Sequence, residues 1–206
     1  MERLLIFPCN GNGREAVECL GPGVVCLGFV DDTAEKVGTT VLGLPILDRT
    51  SFTRHPDARV LAVPGSPSSY RNRQAVIDGL GLPPERYARV IHPGAHVSAH
   101  ARLGHNLLVM AGAVITSNAT IGSHVVILPN SVVHHDAEIG DFTLVGSNVS
   151  VAGGVVVEEN CYLGTGAQIL SGLRIGKGAM VGLGSTVIRP VEAGSRHAGN
   201  PARRLA

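Results

Sequence analysis

The sequence predicts a small parallel α/β sheet over residues 1–90, followed over residues 91–206 by a parallel β-helix with a C-terminal tail. Three observations predict it. From Ile91 to Val187 every sixth residue is a branched aliphatic, seventeen in unbroken succession. Three places after each aliphatic comes Gly or Asn in twelve of the seventeen hexads, and these residues tolerate positive φ, so a tight corner recurs once per unit. Before residue 91, short apolar runs alternate with helical stretches, the pattern of a parallel sheet.

The elements of the first part follow in order. Leu4 to Phe7 reads as a strand entering Pro8-Cys9-Asn10-Gly11-Asn12-Gly13, and Arg14 to Leu20 as a helix with Ala16, Val17 and Leu20 on one face. Val24 to Val30 is the next strand, ending in Asp31-Asp32; Val41 to Leu47 is a turn or strand pair. Val60 to Val63 closes at Pro64-Gly65-Ser66, Ser68 to Leu80 is helical, and Tyr87 to Ile91 is the last strand. The loop Gly11-Asn12-Gly13-Arg14-Glu15-Ala16 fits G-x-G-x-x-A, with the acidic pair about twenty residues on. Physically this offers a helix N-terminus to phosphate and a carboxylate to ribose hydroxyls, although a tight structural turn leaves the same trace.

In the second part each hexad carries an inward aliphatic and, four places on, a small residue such as Ala95, Ala113, Ser131, Thr143, Cys161 or Ala179. A single hexad cannot bury its aliphatic, so stability comes from stacking coils about 4.8 Å apart. The 27 glycines and absent Trp suit a narrow core, and a formal charge of +1 gives no basic field to recruit nucleic acid. Cys9, Cys19, Cys26 and Cys161 lack metal-type spacing, and no stretch has the length and hydropathy of a membrane span or a secretory leader, so a cytoplasmic protein is expected.

These residues carry a family resemblance across essentially the whole chain. The repeats resemble the hexapeptide-repeat acyltransferases, which implies a left-handed β-helix with three hexads per coil. A Rossmann-like domain ahead of it is similar to the nucleotide-amino-sugar N-acetyltransferases of surface-glycan biosynthesis, such as the bacillosamine and perosamine enzymes, with the sialic acid O-acetyltransferases as relatives. That resemblance implies acetyl-CoA as co-substrate, a nucleotide-linked amino sugar as acceptor, a homotrimer, and no metal or membrane partner. The family's first loop is Gly-x-x-Gly-His-Gly; here Pro8 replaces the leading Gly and Asn12 the His. Gly11, Asn12, Gly13, Asp31, Asp32 and Gly65 are then expected to hold the nucleotide sugar.

Val133-His134-His135-Asp136-Ala137-Glu138-Ile139-Gly140 is where the family carries its base. The match places the catalytic His at His135 and its carboxylate at Asp136. An amine attacking a thioester must lose a proton, and imidazole titrates near working pH. In the hexad frame Val133 points inward, His134 lies on a flat face and His135 at a corner; alternatively Asp136 simply fills a corner slot that accepts Asn, Asp or Gly. Residues eighteen apart stack, so Gly153 is expected beside His135, where its amide could face a developing oxyanion. The resemblance also implies coenzyme contacts at Gly153, Thr165 and Leu183, and at Leu144, which replaces a second His found nine residues after the base in some members. Gly199-Asn200-Pro201-Ala202-Arg203 matches the family's closing element, with Arg203 or Arg204 able to meet phosphates. An O-acyltransferase, a zinc enzyme of the γ-carbonic-anhydrase type and a non-catalytic nucleotide-sugar binder are the alternatives. The zinc reading is disfavoured because no two of the seven histidines from His92 to His135 are eighteen apart, so none should stack on one ridge.

Overall fold

A computed structural model describes residues 1–205 of the chain. Strand β1 (Glu2–Phe7) leads into helix α1 (Gly11–Glu18), then β2 (Val24–Val30), the hairpin β3 (Thr40–Val41) and β4 (Leu44–Leu47), the short α2 (Ser51–Arg54) and β5 (Arg59–Ala62). The sheet order is β3-β4-β2-β1-β5. Central β1 pairs in parallel with β2 and β5, and Leu4, Leu5 and Ile6 are fully buried, as a strand covered on both faces requires.

Three boundaries differ from the sequence expectation. Helix α1 starts at Gly11, because the Asn10 side chain accepts the Gly13 N–H at 2.8 Å and caps it; the expected glycine loop is thus its first turn. The helix expected over Ser68–Leu80 is a 3-10 turn, Tyr70–Asn72, running into α3 (Arg73–Asp78) and stopping at Gly79. The strand expected to end the first sheet, β6 (Arg89–Ile91), instead pairs with Leu107–Val109 and opens the β-helix; Tyr87 and Ala88 just before it reach back, Tyr87 bridging to Val60 and Ala88 N donating to Val60 O at 2.9 Å.

From β6 to Thr186–Val187, two- and three-residue strands pair in parallel at a spacing of eighteen, as in the run Val114, Val132, Ser150 and Gln168; beyond them Arg196–Ala198 pairs with Met180–Val181 at sixteen and antiparallel with Arg203–Arg204. They form three faces. The first carries Val126, Leu144 and Tyr162 outward, the second Val114 and Val132, the third Thr120, Glu138 and Val156. Val109 through Val187, the predicted inward aliphatics, lie in one core, all but shut off from solvent. Small polar residues inside it are satisfied: the Ser131 hydroxyl donates to Gly146 O at 2.6 Å and accepts from Val149 N at 3.1 Å.

The corner position takes positive φ at fourteen successive hexads, Asn106 to Gly184. Three of these are not Gly or Asn: His124 (φ 61), Asp136 (φ 58) and Phe142 (φ 60). A bulky side chain there costs on the order of 1–3 kcal/mol. At His124 and Phe142 the cost is offset by stacking on successive coils, with ring centroids 4.6 Å apart and planes 3° from parallel.

That corner ridge is where the two parts of the chain join. The Asn106 amide acts as one more strand residue for β5, donating to Ala62 O and accepting from Ala62 N, each at 2.8 Å. Tyr70 and Arg71 donate to Gly178 O, Arg71 to Gly194 O, and Asn160 to Arg71 O. The His105 and His124 rings also meet here, edge to face at 4.7 Å, from neighbouring positions of successive coils nineteen residues apart rather than stacked on one ridge.

Burial, with His105 and Arg73 nearby, pushes the His124 pKa down to about 4. The unfolded imidazole, near 6.5, takes up its proton as pH falls from about 6.5 to 4 while the folded one does not, so stability falls across that window by on the order of 3 kcal/mol. His124→Asn, which keeps a residue suited to positive φ, should lose less stability between pH 7 and 4.5 than the wild type. Urea midpoints at the two pH values measure the difference, and equal losses would count against His124 as the titrating group.

Candidate functional site

The corner joining the second and third faces holds the predicted base. Val133 is fully buried and turns the chain so that His134 follows half-buried on the flat strand and His135 stands exposed at the corner. Positive φ at Asp136 aims its carboxylate back at the ring: His135 Nδ1 lies 2.8 Å from Asp136 Oδ2. Filling the corner slot and orienting the imidazole are therefore one feature. His135, with the Asn118 side chain one coil below, holds the Asp136 carboxyl under its usual range. An ionised carboxylate only accepts, so Nδ1 carries the proton and the Nε2 lone pair is left free, the tautomer a base needs.

Gly153 lies against that ring, as the eighteen-residue spacing predicts. A Cβ built on it would be 2.6 Å from His135 Cε1 and 2.7 Å from Nε2. Gly154, at φ +68, donates its N–H to His135 O at 3.0 Å and ties the two coils together. The Gly153 N–H meets no acceptor among the described residues, as is usual at this place in the corners, and it stands beside the imidazole edge.

A second locus lies across the molecule, where the first part of the chain docks on the first face. A cavity of about 280 Å³ is lined there by Asn10, Gly11, Asn12, Gly65, Ser66, Leu144, Gly146 and Tyr162, among others. Gly11 and Asn12 present backbone N–H groups from the first turn of α1, without acceptors among the described residues, while Gly13 spends its own on the Asn10 cap. On the other side of the same turn, a cavity of about 500 Å³ is lined by Arg14, Lys36, Thr39 and Val41.

Other expected site residues are placed differently. Asp31 is buried and occupied: it accepts from Cys9 N at 3.0 Å, Thr33 N at 2.9 Å and Lys36 Nζ at 3.0 Å, binding the ends of β1 and β2 together. The partners from Thr33 and Lys36 overcome its desolvation and lower its pKa. Asp32 is held by the Arg49 guanidinium, at 2.6 and 2.7 Å. Leu144 sits in the 280 Å³ cavity beside Gly11 and Asn12, on a different part of the prism from Gly153. Thr165 and Leu183 lie on the corner between the first and second faces, with Leu183 82 % exposed. Within one chain, then, neither they nor the cavity meet His135. Sequence reasoning missed Asn10, Arg14, Lys36, Asn118 and Tyr162; the Asn before a helical glycine turn was a readable capping signal, whereas the others depend on tertiary contacts.

Among the described residues no cluster of three His, Cys, Asp or Glu side chains forms a metal site, and no helix is long and apolar enough to cross a membrane.

Residues 118–153, which include this corner, match the family described as bacterial transferase hexapeptide (six repeats). No curated protein matches by sequence. Among solved structures, PerB from Caulobacter crescentus, in complex with CoA and GDP-perosamine, is 28% identical over 100% of this chain and 98% of that chain, with TM-score 0.87. WeeI from Acinetobacter baumannii AYE is also 28% identical, over 100% of both chains, with TM-score 0.84. The acetyltransferase domain of PglB from Neisseria gonorrhoeae FA1090, in complex with acetyl coenzyme A, shares the fold at 23% identity over 99% of each chain, with TM-score 0.84. The β-helix is accordingly left-handed.

Proposed function

We infer that this hexapeptide-repeat acyltransferase transfers the acetyl group of acetyl-CoA to the amine of a nucleotide-linked amino sugar. The observation that carries the reading is the His135–Asp136 pair set against Gly153, in a chain whose full length matches a protein solved with CoA and GDP-perosamine.

The chemistry follows from the geometry. His135 Nε2 takes the proton from the sugar amine as its nitrogen attacks the thioester carbonyl. The Gly153 N–H faces the oxygen that gains charge, and Asp136 steadies the imidazolium that results. The C–N bond forms, the C–S bond breaks, and the proton passes from Nε2 to the departing thiolate.

The first sheet, with its β1-α1-β2 unit, serves in this reading as a Rossmann-like nucleotide-sugar domain. The free N–H groups of Gly11 and Asn12 meet a diphosphate, Arg14 and Lys36 balance its charge, and the sugar extends past Gly65 toward Leu144 and Tyr162. Asp31 acts through Lys36, and Asp32 reaches a ribose only by releasing Arg49. No nucleic-acid or membrane partner, and a cytoplasmic setting, belong to the same proposal.

A chain that keeps His135 and this cavity on separate edges needs a second copy to join them. A homotrimer would bring the His135 corner of one protomer against the corner carrying Thr165 and Leu183 of the next, with the coenzyme in the groove between. Of Met110, Leu128 and Leu170, apolar residues that each follow an inward aliphatic, Met110 and Leu128 are covered by the first part of the chain, which leaves Leu170 at 54 % exposure. Leu183 and Ile188 are exposed as well. Light scattering should give three protomers at micromolar concentration; a monomer would sink the shared site.

The function is tested by following thiol release from acetyl-CoA with a panel of nucleotide amino sugars, beside sialic acid and NAD-binding controls. Turnover of a nucleotide amino sugar supports it. Turnover confined to hydroxyl acceptors moves the assignment to an O-acyltransferase, and tight coenzyme and sugar binding without turnover to a non-catalytic binder.

A further inference from the structure

Arg73 is the largest fully buried side chain among the described residues, 1 % exposed, and no carboxylate among them pairs with it. An ionised group in that position is costly unless its donors are met. Here they are met by three backbone carbonyls from three separate segments. Nε donates to Phe142 O at 3.0 Å, one terminal nitrogen to His124 O at 2.5 Å and the other to Pro64 O. His124 and Phe142 are the stacked corner residues of successive coils, and Pro64 begins the loop that carries Gly65 and Ser66 into the 280 Å³ cavity.

The stem of the same side chain fixes the next residue of that loop. Gly65 has φ +111, and a Cβ on it would be 2.8 Å from Arg73 Cγ and 3.0 Å from Cδ, with Leu144 Cδ1 3.4 Å away. Gly65 is therefore clasped between the Arg73 stem and the cavity wall. Upstream, the Asn10 side chain donates to Val63 O at 3.1 Å, so the cap of α1 and the start of the loop move together. Arg73 ties this assembly to the β-helix, beyond the Asn106 bonds to Ala62 at the end of β5.

We propose that Arg73 is a positioning residue for the acceptor site: its guanidinium sets the Pro64–Ser66 loop, and through it the acceptor, at a fixed height on the β-helix. The proposal rests on the reading that the cavity takes the nucleotide amino sugar, and it adds a residue that touches neither substrate. Lysine keeps the charge and most of the stem but offers a point rather than a planar fork, and cannot reach three carbonyls at once.

Arg73→Lys should raise KM for the nucleotide amino sugar by about tenfold to a hundredfold, the scale of losing one or two bonds to a charged donor. KM for acetyl-CoA should stay within about twofold, since the coenzyme groove lies on other corners. Hydrogen exchange over residues 63–67 should quicken while the coils near Val151 and Ile169 keep their protection. An unchanged acceptor KM overturns the proposal, as does an equal rise in both KM values with loss of coil protection, which marks a merely structural role. Should Arg73→Lys fail to fold, Arg73→Gln, which buries no charge and keeps a planar donor group too short for all three carbonyls, decides by the same readouts: a selective rise in acceptor KM with faster exchange over residues 63–67 supports the proposal, and no change overturns it. If the wild type accepts no nucleotide amino sugar, the functional reading fails by itself, and the exchange result alone then upholds or overturns the tie through Arg73.

Discussion

His135→Ala should lower kcat by roughly 10²–10⁴, the scale of a positioned acid–base group. The imidazole acts on the acceptor's proton, so its contribution belongs mainly to the transition state, and KM for acetyl-CoA should change little. The side chain is 64% exposed and makes one side-chain hydrogen bond, to Asp136, so its loss should leave the thermal midpoint nearly unmoved. His134→Ala is the control: it neighbours the site in sequence but lies on the flat strand, where its backbone N–H, which the substitution keeps, bonds Val151 O. It should stay within about threefold of wild type, well short of the cost of deleting a general base. Asp136→Asn should fall between, because the amide keeps a residue suited to φ 58 yet no longer demands the Nδ1–H tautomer. Both His variants are assayed with the same acceptor once folding and assembly are verified. Loss at His134 with retention at His135 would mean that the corner has been read one residue out of register.

The β-helix was legible because its physics is local and repeated. An aliphatic at every sixth position and a corner residue three places later fix strand, turn and stacking partner together, so the placing of His135 at a corner and of Gly153 beside it followed from counting. The bend at Asp136 shows the same logic: a residue that reads as a corner filler is also the imidazole's partner, since positive φ turns its carboxylate back onto the ring. The first sheet and its helices were less legible where long-range contacts decide the outcome. Asp31-Asp32 has the spacing of a ribose-binding pair, but Asp31 is committed to Cys9, Thr33 and Lys36, and Asp32 to Arg49, partners that no local pattern specifies. Leu144, at the place of a second His in the resembling family, lies nine residues or half a coil from His135, which puts it on another face and beside Gly11 and Asn12, a neighbourhood no local pattern specifies. Arg73 gave no signal, because its three partners lie 9, 51 and 69 residues away.

Gly153→Ala should cost kcat on the order of a hundredfold, the penalty that a misplacement of about 1 Å can exact. Gly153 is not at positive φ, so alanine suits its backbone, and what the new Cβ meets is the His135 ring at 2.6–3.2 Å. An exposed side chain can swing away, which spares the fold but breaks the 2.8 Å bond to Asp136 and carries Nε2 from its place. Stability should therefore stay within about 0.5 kcal/mol of wild type. Gly172→Ala, one coil above on the same corner, should behave oppositely: at φ +71 with open space around its Cβ, it strains the backbone by about 1–2 kcal/mol and touches no imidazole, so kcat should hold. The double variant Gly153→Ala/His135→Ala separates two roles of the glycine. If the added methyl acts by displacing the ring, it changes nothing once the ring is gone, and the double variant matches His135→Ala alone. A further drop would mean that the methyl also obstructs the thioester or its oxyanion contact. Near-wild-type kcat in Gly153→Ala would show that His135 need not lie over this glycine to work.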